Sequence, residues 1–247
     1  MKSWLVVLTS DLEAFFSERR DEVRAYLELL KNIEEETKAG VPRLARTQRS
    51  ITPDQAKILI SNLYLQLYNL VEATVTSCLK TVTDEVQARG ILPSELSWEM
   101  RREWTKSVAR THEEMGPEKR LEAALDLSSQ LMGQLPLSEF RIDSGGGGNW
   151  DDTAIEKLFS RLGASSMVSA DTMTSAKRHI KDDLGSLALV KNRRNGLAHG
   201  SLSFVDCGGE MLYPDMERLT ETVIAYLSEV VQSFVDFADG HLTDKIC

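Results

Sequence analysis

The sequence is poor in cysteine and proline and has no long apolar run, and each shortage excludes a class of protein. The three cysteines are odd in number and share no metal-ligand spacing, so we expect a reducing, cytoplasmic setting. The scarcity of proline, six in 247 residues, favours helices. The apolar stretch Trp4–Leu8 is too short for a signal peptide or a membrane span, so no membrane association is predicted.

The common motifs of metal and nucleophilic catalysis are also missing. There is no H-E-x-x-H pattern or other pair of histidines suited to zinc, and no G-x-S-x-G or cysteine–histidine pattern. The glycines Gly145–Gly148 lack the Lys-Ser/Thr that follows them in a nucleotide-binding loop, so they indicate a hinge or an inserted loop. We therefore predict a protein that uses neither a metal nor a cofactor.

Negative charge dominates the chain but is unevenly distributed. A formal net charge of -9 argues against a protein that coats nucleic acid non-specifically. Residues 171–199 nevertheless contain six basic residues against three acidic ones, whereas from position 200 onward nine acidic residues face only Arg218 and Lys245. The locally basic segment indicates a site for an anionic ligand within an acidic protein.

Apolar residues at helical spacing and helix-end signals divide the chain into helices. We predict one all-α domain over residues 1–247, with N-terminal helices in residues 1–143, a glycine-rich loop in residues 144–150 and the remaining helices in residues 151–239. Ser10 is a candidate N-cap of the first helix, and Thr52-Pro53 starts the second. The predicted helices, caps included, are Asp11–Lys38, Asp54–Ala88, Pro93–Thr111, Glu118–Leu131, Asp151–Leu162, Arg178–Asn195 and Asp215–Phe237.

The second predicted helix should be the centre of the core, because it is apolar on nearly every face. Together with Arg178–Asn195 and Asp215–Phe237 it should supply most of the buried surface. Its Tyr64 and Tyr68, four residues apart, fit packing in the core better than a platform for base stacking. Gly208-Gly209 lies between two short segments and indicates a small hairpin before the last helix.

The connections between these helices carry few chemical signals. The loop of residues 43–50 contains Arg43, Arg46 and Arg49, and solvent exposure is its favoured interpretation, with an RNA-contacting arm as the alternative. A polar connector, Ala164–Thr172, precedes the helix that starts at Arg178. In the third predicted helix, Trp98 and Trp104 are the expected anchors.

Residues 181–204 carry the clearest chemistry. Apolar residues at helical spacing lead to Arg194, which continues the stripe four residues after Val190 and is therefore predicted to be buried. Asn195-Gly196 is predicted to end this helix, because both residues tolerate the left-handed conformation. His199 follows Arg194 by five residues. The pattern places an arginine, an asparagine and a histidine together at a helix end.

Arg194, Asn195 and His199 together suit the transfer of a proton at a phosphate. Histidine titrates near neutral pH and acts as base or acid, and arginine holds two phosphate oxygens at once. Asn195 would hold the scissile phosphate or orient the imidazole. The alternative is structural, with Arg194 bound to the last carbonyl groups of the helix and His199 an ordinary loop residue.

The segments around these residues resemble the MAE-type prokaryotic HEPN nucleases. Arg194, Asn195 and His199 match the R-x4–6-H motif of HEPN domains within the segment RNGLAHG. Gly148-Asn149-Trp150, Ser203-Phe204 and a closing amphipathic helix are similar to the rest of the family. The resemblance covers roughly residues 148–239 and implies a helical bundle, here with extra N-terminal helices and a small hairpin after the motif.

The resemblance implies metal-independent cleavage of RNA by a homodimer, in a toxin–antitoxin or antiphage system with an antitoxin or defence partner. Arg194, Asn195 and His199 would be catalytic, and a twofold dimer would supply the second histidine that the reaction uses. Ser201 stands where toxins controlled by nucleotidyltransferase antitoxins carry a tyrosine, which argues against that form of control. The alternative is a non-catalytic bundle that binds a partner protein or a nucleotide. The basic residues expected to bind RNA are Lys177, Arg178, Lys191 and Arg193.

Overall fold

The computed structural model describes residues 2–109, 114–133, 136–137, 140–144, 149–209, 211–240 and 242–243. Over these ranges the chain forms α-helices and no β-strand, which confirms the predicted all-α class. No helix in the described ranges is both long enough and apolar enough to cross a lipid bilayer. The helices are α1 (Lys2–Ala39), α2 (Pro53–Ala88), α3 (Trp98–Val108), α4 (Pro117–Gly133), α5 (Asp152–Leu162), α6 (Ala170–Lys177), α7 (Ser186–Ala198), α8 (Phe204–Gly208) and α9 (Tyr213–Gly240).

α2 is the central helix of the bundle, and it packs against α1, α7, α8 and α9. It begins with a capping box, in which the Thr52 hydroxyl accepts a hydrogen bond from the Gln55 backbone and the Gln55 side chain accepts one from the Thr52 backbone. Its buried face includes Leu67, Val75 and Val82, each 0% exposed. Each such side chain stabilises the fold by about 1.5–3 kcal/mol through burial, so α2 anchors the core as predicted.

α1 and α9 pack against α2 and against each other. Arg24 on α1 forms an ion pair with Glu221 on α9 at 2.7 Å, and the Tyr26 hydroxyl donates to the Leu59 carbonyl oxygen of α2 at 2.6 Å. The prediction of Ser10 as the N-cap of α1 is wrong, since the helix begins at Lys2 and runs through this exposed serine. Serine inside an exposed helix costs only a few tenths of a kcal/mol, about 0.5 at most, so a polar residue alone does not start a helix.

α3 begins five residues later than the prediction, because the Ser97 hydroxyl caps it by accepting a hydrogen bond from Met100 N. Trp104 is 1% exposed and anchors the helix as expected, whereas Trp98 is 67% exposed. A separation of six residues places these two side chains about 120° apart around a helix, so one buried face does not cover both. The predicted end of this helix, Thr111, lies outside the described residues.

A tight turn replaces the predicted first turns of the helix that carries Arg194. The sequence predicts a helix from Arg178, but Asp182 and Asp183 adopt left-handed backbone angles, with φ of 52° and 56°. α6 and this turn take the place of the predicted connector and helix start. Gly185 then precedes α7 and packs so closely on α6 that a Cβ atom there would lie 2.6 Å from the Ala176 carbonyl oxygen. Contact with a neighbouring helix therefore sets where α7 begins.

α7 also ends later than predicted. It continues through Asn195-Gly196 to Ala198, and His199 is its C-cap. The left-handed residue that stops the helix is Gly200, with φ of 72°. Gly196 lies within the helix and faces Leu202, whose Cβ would lie 3.1 Å from a Cβ at position 196. Gly200, and not Gly196, is therefore the glycine that ends α7.

A short helix, α8, stands where the sequence predicts a hairpin. Ser203 caps it, and the serine hydroxyl accepts a hydrogen bond from Asp206 N at 3.0 Å. Gly208 lies against the first turns of α2, where a Cβ atom would be 1.8 Å from the Lys57 carbonyl oxygen. The hairpin prediction is wrong because the glycine pair serves this close approach to α2, and not a reversal between two strands.

Candidate active site at the end of the motif helix

Arg194, Asn195 and His199 lie at the C-terminal end of α7, which packs on α2. The His199 backbone N–H donates to the Asn195 carbonyl oxygen at 3.0 Å, so the histidine is fixed to the end of the helix. Its side chain is exposed. An exposed imidazole on a fixed backbone is accessible to a substrate.

The Arg194 guanidinium is held on three sides, in an arrangement we call the Arg194 cradle. It lies over the Tyr68 ring, with 4.3 Å between the guanidinium carbon and the ring centroid. Its Nη2 is 3.5 Å from a carboxylate oxygen of Glu72, and its Nη1 donates to Asn195 Oδ1 at 2.9 Å. With 29% of the side chain exposed, the plane of the guanidinium is fixed while part of it stays open to an anion.

The fully buried arginine of α7 is Arg193, whereas Arg194, which the sequence predicts to lie on the buried stripe, is only partly buried. Arg193 is 7% exposed. The predicted stripe omits Leu189, which is 0% exposed and precedes Arg193 by about one helical turn. Arg193 forms an ion pair with Asp182 and donates to Asn192 Oδ1 at 2.9 Å. This hydrogen bond from Arg193 lowers the pKa of the Asp182 carboxyl, and the pair fixes the turn before α7.

Residues 149–150 are attached to both helices of the site. Asn195 Nδ2 donates to Asn149 Oδ1 at 3.1 Å, and Trp150 N donates to the Tyr68 hydroxyl oxygen at 3.2 Å. Burial raises the pKa of Tyr68, so its hydroxyl stays neutral at physiological pH. The segment that resembles the family before α5 therefore contributes directly to the site, while Gly145–Gly148 lie outside the described residues.

The basic residues predicted to bind RNA lie in different places. Lys191 is beside the motif, where it forms an ion pair with Asp151, the N-cap of α5. Lys177 and Arg178 lie where α6 meets the start of α7, and Lys177 pairs with Glu156 at 3.1 Å. The thirteen residues of α7 span about 20 Å, so this end is remote from the motif. Of the predicted RNA-binding residues that are not buried, Lys191 is the one that lies one helical turn before Arg194, and it is partly buried.

Glu72 and Asn149 belong to the site although no sequence pattern indicates them. Glu72 follows Tyr68 by one helical turn. A carboxylate on a largely apolar helix is the one feature of the sequence that could have indicated Glu72 as a site residue. Asn149 directly follows the glycine run, where no periodicity applies. Tyr68 is 2% exposed, so the prediction of a core residue is confirmed, and its ring also supports the guanidinium.

A family comparison covers nearly the whole chain. A model of the MAE-like HEPN family matches residues 8–241. The matched range contains α2, which carries Tyr68 and Glu72, and α7, which carries Arg194. None of the curated proteins and none of the solved structures compared with the chain matches it.

Proposed function

Because the chain belongs to the MAE-like HEPN family, we propose that it is an endoribonuclease that cuts RNA without a metal ion. HEPN-type domains are generally RNases or nucleotide-binding folds. The catalytic residues in this proposal are Arg194, Asn195 and His199. The observation that carries it is the Arg194 cradle, which holds a cation in a fixed plane at the helix end that also presents an exposed histidine.

The reaction that suits these residues is attack by the RNA's own 2′-hydroxyl. Its oxygen bonds to the adjacent phosphorus while the bond from phosphorus to the 5′-oxygen breaks, which leaves a 2′,3′-cyclic phosphate and a free 5′-hydroxyl. One imidazole accepts the proton of the 2′-hydroxyl, and one imidazolium donates a proton to the departing 5′-oxygen. The Arg194 guanidinium stabilises the additional negative charge on the phosphorane between these steps.

A twofold homodimer would supply both proton-transfer groups. The reaction uses a base and an acid, whereas the motif of each chain contains one histidine. We therefore place the α7 ends of two copies face to face across a shared cleft. The exposure of His199 supports this arrangement, because its imidazole is free to reach a substrate held between two chains. Sedimentation equilibrium at tens of micromolar protein should give a dimer, and a strict monomer would contradict the shared cleft.

The biological setting we propose is that of a toxin or an antiphage effector. An RNase without a strict sequence requirement damages its own cell, so such a protein works with an antitoxin or another defence partner that restrains or triggers it. The family membership supports this setting, and the identity of the gene beside this one tests it. A neighbour with no relation to toxin control or defence would count against it.

A second candidate function is a non-catalytic bundle that binds a partner protein or a nucleotide. The ion pairs within the fold favour it, since Glu72 faces Arg194 and Asp151 faces Lys191 even before any ligand is bound. In a pure scaffold these pairs would stabilise the packing of α7 and nothing else. The two candidate functions therefore differ in whether the folded protein cleaves RNA.

The decisive test compares cleavage of RNA by the wild type with cleavage by His199→Ala and Arg194→Ala, in EDTA. Loss of a general acid–base group costs about 10²–10⁴-fold. Loss of one preorganised charge stabiliser costs about 10²–10³-fold. Matched controls are His179→Ala and Arg102→Ala, which remove the same chemical groups from exposed positions away from the motif. Both controls should cleave as the wild type does, and DNA should stay intact because it lacks the 2′-hydroxyl.

Each outcome assigns the function differently. Wild-type protein that is folded and leaves every RNA intact, with or without added divalent metal, would support the binding bundle. Cleavage that depends on an added metal would contradict the proposed chemistry. Full activity of His199→Ala would exclude the histidine as base or acid, while a 3′-phosphate product that never passes through the cyclic form would exclude attack by the 2′-hydroxyl.

A further inference from the structure

The segment between α1 and α2, residues 40–51, is a loop with a hydrogen-bonded backbone, and we call it the arginine loop. Leu44 N donates to the Arg49 carbonyl oxygen at 2.9 Å, and Ile51 N donates to the Pro42 carbonyl oxygen at 2.8 Å. Gln48 adopts a left-handed conformation near the tip, with φ of 56°. These bonds close the loop on itself, so its side chains project from a fixed backbone.

The arginine loop carries three exposed arginines, Arg43, Arg46 and Arg49. The Arg43 guanidinium donates a hydrogen bond to the Gln48 carbonyl oxygen of the loop at 3.0 Å. Residues 37–53 contain no aspartate and no glutamate. Many other arginines face a carboxylate, as Arg24 faces Glu221 and the buried arginine of α7 faces its aspartate. Among the described residues, no carboxylate oxygen lies within 4.0 Å of the guanidinium groups of the arginine loop. The loop is therefore a concentrated positive charge on a protein whose net charge is -9.

The arginine loop lies at the same end of α2 as α8. It leads directly into Thr52, the N-cap of α2, and Gly208 of α8 packs on the Lys57 carbonyl oxygen in the turns that follow. Residues 200–203 alone connect α8 to His199. Along the helix axis Thr52 is about 24 Å from Tyr68 in the Arg194 cradle. A strand that ran from the motif along α2 for about this distance would reach the arginine loop.

We propose that the arginine loop is a second binding site for the phosphate backbone of single-stranded RNA, which holds the substrate beyond the scissile phosphate. This inference rests on the proposed RNase function. Guanidinium groups bind phosphate oxygens in a bidentate manner and also stack on unpaired bases, so arginine suits a flexible RNA strand. Because the loop backbone is already ordered, binding loses little conformational entropy there.

The charges around the loop favour RNA over a membrane surface. The end of α1 that precedes the loop carries three consecutive acidic residues, 34–36. A flat anionic bilayer that approached the loop would meet these carboxylates, whereas a thin RNA strand contacts the loop alone. The exposed Leu44 and Val41, 53% and 62% exposed, give such a strand an apolar surface for its bases.

The test measures binding of a fluorescently labelled, mixed-sequence single-stranded RNA across a range of salt concentrations. All proteins carry His199→Ala, so that the RNA stays intact. Each contact with a phosphate of a single strand contributes about 0.7 to the slope of log affinity against log salt, so removal of three contacts should lower the slope by about 2. The loop variant is Arg43→Gln, Arg46→Gln and Arg49→Gln. Its control, with the same loss of charge on α3 and α4, is Arg102→Gln, Lys119→Gln and Arg120→Gln, which should keep the parent slope.

A second measurement uses the active enzyme and separates the loop from the catalytic site. With His199 restored, the loop variant should raise KM for RNA long enough to span the roughly 24 Å between motif and loop. It should leave kcat unchanged, and it should leave both constants unchanged for oligonucleotides too short to reach the loop. If the triple variant fails to fold, Arg46→Gln alone should lower the salt slope by about 0.7.

The outcomes distinguish this inference from the proposed function. An unchanged slope in the loop variant, with wild-type RNA cleavage intact, would overturn the inference and leave the RNase standing. A lowered slope in a protein that cuts no RNA would support binding at the loop and overturn the RNase. Unchanged RNA binding combined with lost binding to phosphatidylserine–phosphatidylcholine vesicles would also overturn the inference, in favour of a membrane contact.

Discussion

Replacement of Glu72 by glutamine should tighten RNA binding by about fivefold at low salt and leave kcat unchanged. A Glu72 carboxylate oxygen lies 3.5 Å from Arg194 Nη2, and the two side chains are 42% and 29% exposed. In a water-like dielectric, opposite charges at this distance attract by about 1 kcal/mol, at the upper end of the range for partly exposed pairs. An RNA phosphate that binds Arg194 competes with this carboxylate for the guanidinium. Glutamine removes that competition, while Tyr68 and Asn195 still hold the guanidinium.

The assay determines Kd for RNA in a His199→Ala background, and kcat and KM for cleavage in the active protein. Asp84→Asn is the matched control, because it removes one negative charge from an ion pair with Lys80 farther along the same helix. The gain in affinity should fade as salt rises, since the carboxylate of a partly exposed pair is screened. Weaker RNA binding by Glu72→Gln would refute the reasoning, because it would show that Glu72 positions Arg194 for the phosphate instead of competing with it.

Two further predictions concern the frame of the site. Gly208→Ala should lower the free energy of unfolding by about 1–3 kcal/mol or more, because its Cβ would meet the α2 backbone. Gly209→Ala, whose Cβ would lie at an ordinary 3.5 Å from the Asp206 carbonyl oxygen, should change it little. Equal melting temperatures for the two variants would contradict the close approach. Asp151→Ala should cost about 1 kcal/mol in urea unfolding through loss of the α5 cap, whereas Asp151→Asn keeps a capping side chain and loses only the ion pair with Lys191. An asparagine variant as unstable as the alanine variant would show that the ion pair, and not the cap, stabilises α5.

Local signals in the sequence predict the helices whose ends are determined by neighbouring residues. Thr52 marks the start of α2 through contacts with residues three positions away, and Asp151 does the same for α5. Gly163 ends α5 in the left-handed conformation that glycine adopts readily at the end of a helix. Each of these interactions lies within one helical turn, so the neighbouring residues in the sequence are sufficient to predict where these helices begin and end.

Long-range packing decides the features that the sequence did not predict. Arg193 is more deeply buried than Arg194 because the helices around α7 determine its rotation about its own axis. The spacing of apolar residues does not distinguish two buried stripes that differ by one residue. α8 exists because the backbone at Gly208 fits against α2. Glu72 joins the site only once α2 and α7 pack together. The catalytic roles of Arg194 and His199 and the dimer stay predictions.

The Arg194 cradle joins two helices that are far apart in the chain, and this fixes when the site is assembled during synthesis. Tyr68 and Glu72 leave the ribosome well before Arg194, and at about 5–20 residues per second the interval is on the order of ten seconds. During that time the faces of α2 that later contact α7, α8 and α9 have no partner, so the nascent chain exposes apolar surface that chaperones recognise. A growing chain therefore has no cradle for a phosphate until α7 has emerged and packed on α2.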